Sequence, residues 1–232
     1  GGSDGLSGVT ANPTIGRFSD MLCARGGSTV LTEVPEMFGA EGFLMNRCRN
    51  EEVFGKAVRM INGFKEYFLR HNEVVYENPS PGNKQGGITT LEDKSCGCVQ
   101  KGGGAPIMDV IGYGDAVTTK GLNLLYGPGN DLVSATALTA AGAHLILFST
   151  GRGTPFGAPA PTLKVATNTQ LAEKKPAWID YNTGVIADGK MTIDETARGL
   201  YDLVMEVASG RKTKAEEKGF REISIFKEGV TL

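Results

Sequence analysis

The stretch AHLILFST, residues 143–150, constrains the fold more than any other part of the chain. It is a nearly continuous apolar run, and such short runs are typical of a strand that is buried on both faces of a parallel sheet. A small-residue helix over 131–141 precedes it, and a glycine turn separates it from a further strand at 163–167. Strands that alternate with helices predict an α/β fold: a mostly parallel sheet flanked by helices in Rossmann-like layering, with right-handed crossovers.

Hydrophobic periodicity predicts the remaining elements. The predicted helices are 11–25, 50–69 with Asn50 as N-cap, and an amphipathic helix with its apolar stripe from Ile193 to Val207. The predicted strands are 28–34, 122–126 and an edge strand in the tail EISIFKEGV, residues 222–230.

The stretch NPSPGNKQGGITT, residues 78–90, is predicted to be a loop. Proline removes a backbone donor and glycine raises the entropic cost of ordering, so neither suits a helix interior or a central strand. The surrounding region, 71–104, is interpreted as a functional insertion within one domain.

Composition excludes several classes of protein. The net charge of −2 and the absence of like-charge blocks argue against a nucleic-acid partner or an anionic membrane surface. No apolar run is long enough to span a bilayer, and the N-terminus has no signal-peptide pattern. The four cysteines form no CxxC pair, so reduced thiols in a cytoplasmic protein are expected.

Glycine is unusually abundant, with 33 among 232 residues. The general usage is about 7%. Two glycine-rich loops, YGPGND at 126–131 and STGRGTPFG at 149–157, directly follow predicted strands, where the carboxyl ends border the ligand crevice of an open α/β sheet. Such loops let backbone amides approach a small polar ligand closely. The Walker pattern is absent, and the spacing of the second loop misses the dinucleotide fingerprint by one residue.

Two cations lie in glycine-containing segments: Arg152 in the loop 149–157 and Lys84 in the segment 78–90. Arg152 has a forked guanidinium that suits a carboxylate or a phosphate, although it could also pin its loop to a neighbouring acid. Lys84 could bind an anion, act as a base if its pKa is lowered, or remain a solvated loop lysine.

Three acids are candidate metal ligands or proton-transfer groups. Glu33 and Glu36 follow a predicted strand, and Asp4 lies in the segment GGSDG. Carboxylates bind hard divalent cations and transfer protons, but acids also decorate helix N-termini. His71 and His144 lack metal spacing, so structural roles are expected for both.

Long motifs then show a family resemblance. GGSDGLSGVTANP, LTEVPEMFGAE, ENPSPGNKQGGITTLEDKS, PGNDLVSATALTAAGAHLILFSTGRGTPFG, TLKVATNTQLA and IFKEGVTL span almost the whole chain. The sequence resembles the altronate dehydratase (altronate hydrolase) and galactarate dehydratase family, specifically its large C-terminal domain. The segments TEVPEMFGAE, GITTLEDKS and QKGG resemble the altronate branch more than the galactarate branch.

The resemblance implies an activity, a cofactor and partners. The activity is dehydration of D-altronate to 2-dehydro-3-deoxy-D-gluconate in hexuronate catabolism, with a divalent metal, expected to be Fe²⁺. Residues 1–232 would be one catalytic domain of a longer enzyme whose N-terminal domain is a partner, and the enzyme would be a cytoplasmic homo-oligomer. Cys98 fits the family pattern better than Cys96 does.

The predicted site combines both lines of reasoning. The predicted catalytic residues are Lys84 as base or electrostatic stabiliser, Arg152, and Glu33. The predicted substrate-binding residues are Ser3, Asn12, Asn83, Thr150, Thr154 and Asn168, with Thr154 assisting Arg152 at the carboxylate. The predicted metal ligands are Asp4, Glu33 and Glu36. Three alternatives stay open: a dehydratase for galactarate or another sugar acid, a non-catalytic assembly module, and a phosphate or nucleotide site.

Overall fold

The computed structural model describes residues 3–76 and 78–229. It contains two three-stranded sheets, ordered β1-β3-β2 and β4-β5-β6, in which every strand pair is parallel. The strands are β1 (Ser28–Leu31), β2 (Ile107–Ile111), β3 (Gly121–Leu125), β4 (Ile146–Thr150), β5 (Thr162–Ala166) and β6 (Tyr181–Asn182). The predicted α/β class is confirmed, with the strands divided between two sheets.

Helices surround both sheets. They are α1 (Ala11–Ala24), α2 (Glu41–Met45), α3 (Glu51–Arg70), α4 (Pro81–Gln85), α5 (Leu91–Val99), α6 (Asp131–Ala140), α7 (Thr169–Lys174), α8 (Ile193–Ala208) and α9 (Lys214–Glu217), with 3₁₀ turns at Val34–Met37 and Gln100–Gly102. Within residues 3–76 and 78–229, none of these helices combines the length and the hydrophobicity that crossing a bilayer requires.

The long helices begin where the sequence predicts. The side chain of Asn50 accepts a 2.9 Å hydrogen bond from the amide of Val53, which satisfies one of the free donors at the start of α3. At α8, Thr192 and Glu195 form a reciprocal capping box. Both helices then turn their apolar stripe inward, so capping and periodicity agree about where each helix lies.

The helices form layers on the two sheets. Helix α6 packs against one face of the second sheet through Ala135, Ile146 and Phe148, and against the first sheet through Ala137 and Leu125. The opposite face of the second sheet packs against α1 and α8, and the opposite face of the first sheet packs against α3. Each sheet is therefore covered on both faces, as the apolar strand sequences require.

Two predicted elements are wrong. The segment 78–90 is not entirely a loop, because α4 lies inside it: proline stands at the first helical position, where no donor is needed, and Ser80 caps the helix. Residues 222–229 form no strand, and Val230 lies outside the described residues. This tail is held by isolated hydrogen bonds, such as that from the amide of Phe226 to the hydroxyl of Tyr113 at 2.9 Å.

Gly16 marks a close approach between α1 and the turn that follows α5. A Cβ atom at Gly16 would lie 2.1 Å from the carbonyl oxygen of Gln100, whereas one at Gly63 in α3 would meet no atom within 4 Å. We expect Gly16→Ala to lower the free energy of unfolding by about 3 kcal/mol, because backbone must move to admit the methyl group. Gly63→Ala should instead raise it by up to about 1 kcal/mol. Urea unfolding of both variants checks this, and equal effects would contradict the packing described here.

Candidate active site

The carboxyl ends of strands from both sheets border one region of the molecule. Glu33 and Glu36 follow β1, the turn 150–154 follows β4, and Asn168 lies just beyond β5. In open α/β sheets, ligands bind in the crevice at this end of the strands. The segment that begins at Ser3 runs through this region and contacts groups from both sheets.

Asp4 is the centre of a hydrogen-bond network on the side of the second sheet. Its carboxylate accepts hydrogen bonds from the hydroxyls of Ser7 at 3.0 Å and Thr167 at 2.9 Å, and from the side-chain amide of Asn168 at 3.3 Å. Gly151 allows this arrangement, because a Cβ atom there would lie 2.5 Å from the Asp4 carboxylate. The network therefore anchors the N-terminal segment to the loops after β4 and β5.

Helix α4 lies against the same segment. The side-chain amide of Asn83 donates to the carbonyl oxygen of Ser3 at 2.9 Å. The guanidinium of Arg152 donates to the side-chain oxygen of Gln85 at 3.1 Å, so it reaches from the second sheet to α4. Arg152 and Lys84 are both exposed at this place, which leaves two cations beside the carboxyl end of β4.

A buried ion pair lies on the side of the first sheet. The ammonium of Lys94 donates to a carboxylate oxygen of Glu36 at 2.8 Å and to the side-chain oxygen of Asn78 at 2.7 Å. The thiol of Cys98 donates to the other oxygen of Glu36 at 3.5 Å, and it also lies 3.9 Å from the hydroxyl of Ser3. Only 9% of the Lys94 side chain and 12% of the Glu36 side chain are exposed. Through Ser3, this pair is joined to the network around Asp4.

Glu33 and Lys101 complete the polar surface beside this ion pair. The backbone of Glu33 has φ 64° and ψ 70°. Residues other than glycine rarely adopt this left-handed conformation, and it is found at functional sites. Burial raises the pKa of Glu33 above its ordinary value, and the carboxylates of Asp131 and Glu36 act in the same direction. Burial alone would lower the pKa of Lys101, but the acidic groups around it, Cys98 and Glu33 among them, hold that pKa above its ordinary value.

These groups lie at one end of a cleft of about 780 Å³ between the two sheets. The polar side chains at this end are Thr32, Glu33, Glu36, Cys98, Lys101, Asp131 and Ser134, and Lys120 and His144 line the opposite end. The remainder of the cleft is walled mainly by apolar side chains of α1, α6, α8 and the two neighbouring strands. The polar end thus presents acids and a cation in a partly enclosed space.

The predicted site residues are mostly brought to this region. The networks or the cleft lining described above include Ser3, Asp4, Asn83, Asn168, Arg152, Glu33 and Glu36. The hydroxyl of Thr150 accepts hydrogen bonds from the amides of Arg152 and Gly153 within its own loop. Thr154 accepts a hydrogen bond from the amide of Phe156 within its own loop. Asn12 is 1% exposed inside α1 and donates to the carbonyl oxygen of Gly97, which gives it a structural contact. The roles assigned to all of these residues stay predictions.

Three side chains of the site are absent from the predicted set. No role is assigned to Lys94 or Lys101 from the sequence, and Cys98 is described there only as fitting the family pattern. The spacing of Lys94, Cys98 and Lys101 could have indicated them, because positions i, i+4 and i+7 share one face of a helix. That face of α5 and the following turn carries the cationic and thiol groups toward Glu36 and Glu33.

The predicted metal ligands do not form one donor set. Across residues 3–76 and 78–229, no three His, Cys, Asp or Glu side chains come together as a group that could hold a metal ion. The carboxylate of Asp4 is engaged by hydroxyl and amide donors, and that of Glu36 by an ammonium group that would repel a cation. These residues alone therefore do not fit the predicted Fe²⁺ ion, and no step proposed below passes through it.

The thiol of Cys98 should make stability pH-dependent. Burial raises its pKa from 9.0 to about 11, so the folded chain keeps this proton at pH values where the unfolded chain loses it. Its contribution to stability is therefore full below about pH 9 and falls as the pH rises toward 11, by at most about 1.4 kcal/mol per pH unit. Urea unfolding of the chain and of Cys98→Ala should show their difference changing in this window. A constant difference would contradict the raised pKa.

Comparisons with known proteins show the family of this chain. The family described as D-galactarate/Altronate dehydratase, C-terminal, matches residues 1–231. The chain is 60% identical over 232 residues to the altronate dehydratase of Bacillus subtilis and 58% identical over 232 residues to that of Escherichia coli. It is 39% identical over 213 residues, 91% of the chain, to the galactarate dehydratase (L-threo-forming) of Escherichia coli.

Each match covers a larger share of this chain than of the relative. All 232 residues of this chain align with the two altronate dehydratases, but they correspond to 47% of the length of each. For the galactarate dehydratase the share is 41%. The chain therefore spans about half the length of the curated relatives it matches, and it belongs to the D-galactarate/altronate dehydratase family as a C-terminal domain.

Proposed function

We propose that this chain supplies the catalytic region of a sugar-acid dehydratase that converts D-altronate to 2-dehydro-3-deoxy-D-gluconate and water. The family match and the 60% and 58% identities to altronate dehydratases support this substrate over galactarate, whose dehydratase is 39% identical. Because the relatives are about twice as long, the proposal concerns the activity of the longer polypeptide.

One observation carries the proposal. Glu33 and Glu36 after β1 and Lys101 after α5 line the polar end of a single cleft. The adjoining residues Ser3 and Asp4 connect this end, through Cys98, to Thr167 and Asn168 after β5. A small polyhydroxy acid needs cations for its carboxylate, hydrogen-bonding groups for its hydroxyls, and one group that transfers a proton. The region between Glu33 and Arg152 offers all three.

The reaction begins with removal of the proton on the α carbon. We assign this proton to the Glu33 carboxylate, whose raised pKa makes it a stronger base than an ordinary glutamate. The electron pair of the C–H bond moves into the substrate carboxylate, giving an enediolate whose added negative charge requires nearby cations. Lys84 and Arg152 hold the carboxylate in this proposal, and Lys101 stabilises the added charge.

Elimination follows from the enediolate. The electron pair returns to form a carbon–carbon double bond, the bond from the β carbon to its hydroxyl breaks, and that hydroxyl leaves as water with the proton held by Glu33. The resulting enol then tautomerises to the 2-keto acid. The proton and the electron pair are thus accounted for by the substrate and one carboxylate.

Other parts of the proposal rest on the family resemblance alone. They are the Fe²⁺ cofactor, the N-terminal domain as partner, the homo-oligomer and the cytoplasmic location. A galactarate dehydratase is the second candidate activity, and a non-catalytic assembly module is the alternative from another class.

The test uses a completed polypeptide, defined here as these 232 residues joined to the part of the Bacillus subtilis relative that lies outside the match. It is assayed, with Fe²⁺ supplied, for 2-keto-3-deoxy acid from D-altronate, galactarate and D-gluconate. We expect turnover of D-altronate at a kcat/KM at least about tenfold above that for the others. Preference for galactarate would replace the substrate, and a folded polypeptide inactive on all three would overturn the proposal.

Arg152 gives a sharper prediction in the same assay. Arg152→Met should raise KM for D-altronate by about 10- to 100-fold, because a charge-assisted hydrogen bond to the substrate carboxylate is lost. Arg152→Lys should recover part of this, since it restores a cation without the forked geometry. Arg198→Met in α8, where the arginine is exposed, is the matched control and should leave KM unchanged. Equal kinetics for Arg152→Met and the parent would remove Arg152 from the site.

A further inference from the structure

Each of the two sheets ends in an open strand edge on the same cleft. In the orders β1-β3-β2 and β4-β5-β6, strands β1 and β4 are edge strands. The cleft of about 780 Å³ is lined along the whole length of β1, from Ser28 to Thr32, and along residues 143–148 at β4. The two edges therefore face each other across this space.

The backbone directions confirm that both edges offer hydrogen-bonding groups to the cleft. The amide of Gly121 donates to the carbonyl oxygen of Gly27, so the groups of residue 27 face β3, and the amide of Ile146 donates to Pro161 beside β5. Backbone groups alternate between the two sides of a strand. The amides and carbonyls of Val30 and Leu147 consequently point into the cleft, as an unpaired strand edge does.

The space between the edges already has a helical layer on each side. On one side, Phe18 of α1 and Val204 of α8 line the cleft, and this cluster includes Leu147. On the other side, α6 lines it and packs against Phe148 and Val30. This is the environment of a central strand in a doubly wound sheet, which is covered by helices on both faces.

We propose that the cleft receives one extended, mainly apolar polypeptide segment, which pairs with β1 and β4 and joins the two sheets into one. The segment is supplied by the half of the relatives' length that this chain does not span. The resulting strand order is β2-β3-β1-segment-β4-β5-β6. Edge pairing with an added strand is an established mode of polypeptide recognition, in which main-chain hydrogen bonds supply the affinity.

This occupant agrees with the chemistry of the cleft better than a small ligand does. The groups between the edges are backbone amides and carbonyls flanked mainly by apolar side chains, whereas the acids lie at one end of the cleft and Lys120 with His144 at the other. In the joined sheet, the candidate active site would lie at the carboxyl ends of the central strands, at the point where the strand order reverses. Ligands bind at this point in open α/β sheets. The inference itself does not depend on which reaction is catalysed.

Hydrogen exchange tests the proposal without measuring activity. Peptides covering 28–32 and 145–149 are followed by mass spectrometry in the 232-residue chain and in the completed polypeptide. We expect exchange in both peptides to be at least about tenfold slower in the completed polypeptide, because edge amides become paired. Unchanged exchange would overturn the proposal. Protection that appears in the 232-residue chain alone and grows with its concentration would identify a second copy as the occupant, and would overturn it equally.

A proline variant separates edge pairing from other contacts. The 232 residues and the remaining half of the Bacillus subtilis relative are produced separately and mixed, and the dissociation constant is measured. Val30→Pro removes the amide that faces the cleft, at an edge where proline is tolerated, and should raise the constant by at least about tenfold. Val30→Thr keeps the amide and the branched shape, and should leave it unchanged.

A second variant keeps the test decisive if Val30→Pro does not fold, as judged by circular dichroism. Leu147→Pro makes the same change on the facing edge. Unimpaired association of a folded proline variant would overturn the proposal. Because neither readout requires turnover, failure here is distinguishable from failure of the proposed dehydratase activity.

Discussion

Replacing Glu33 with glutamine in the completed polypeptide is expected to lower kcat for D-altronate by about 10²- to 10⁴-fold, the usual contribution of a positioned acid–base group. Glutamine preserves the size of the side chain but cannot accept the α proton. KM should change little, since the carboxylate of the substrate is assigned to Lys84 and Arg152. The measurement is steady-state release of the 2-keto acid.

Glu66→Gln is the matched control for this variant. Glu66 is exposed on α3, a helix that contributes no residue to the cleft lining. Its replacement should therefore leave kcat unchanged. A loss of less than about tenfold in Glu33→Gln, equivalent to about 1.4 kcal/mol of activation free energy, would remove Glu33 from the role of base.

Removing the ammonium of Lys94 is expected to be the most destabilising single change at the site. Lys94→Ala leaves the Glu36 carboxylate, of which only 12% is exposed, without its cation. Breaking a buried pair by removing one partner costs about 3–5 kcal/mol. Because small domains are stable by only about 5–15 kcal/mol, the urea unfolding midpoint should fall sharply.

A second lysine–glutamate pair provides the control for burial. Lys65 and Glu41 lie 2.6 Å apart with side chains 34% and 22% exposed, so Lys65→Ala should cost less than about 1 kcal/mol. The double variant Glu36→Gln with Lys94→Met should recover part of the loss, since it removes both charges together. Equal destabilisation by Lys94→Ala and Lys65→Ala would contradict the importance of burial at Glu36.

The elements that sequence reasoning located are those with local signals. Helix α3 was predicted over 50–69 and is found at Glu51–Arg70, because its cap and its apolar stripe lie within the segment itself. Strand β4 was predicted within 143–150 and is found at Ile146–Thr150. Both carry enough apolar side chains that burial and local preference agree.

The elements that were not located depend on contacts distant in sequence. Helices α4 and α5 are short, and short helices are marginal without tertiary contacts. Here α4 is held by Asn83 on the carbonyl of Ser3, and the face of α5 is held by the ion pair to Glu36. The division into two sheets could not be read from any segment, because strand pairing is set by the arrangement of the whole chain.

The same distinction between local sequence signals and contacts distant in sequence applies to the candidate site. The sequence places Arg152 in a loop that follows a predicted strand, and the structure has β4 ending at Thr150, two residues before it. The role of Arg152 stays a prediction. The ion pair of Lys94 with Glu36 joins groups 58 positions apart and needs Asn78 as third partner, which a lone motif does not reveal.

The central claim is that loops from both sheets form one site for a sugar acid, and a crystal structure tests it most directly. The crystal contains the Glu33→Gln form of the completed polypeptide, soaked with D-altronate so that the substrate is bound but not converted. The account predicts the substrate carboxylate within hydrogen-bond distance of Arg152 and its α carbon facing residue 33. A sugar acid that binds only one of these two loops, or lies outside the polar end of the cleft, would contradict it.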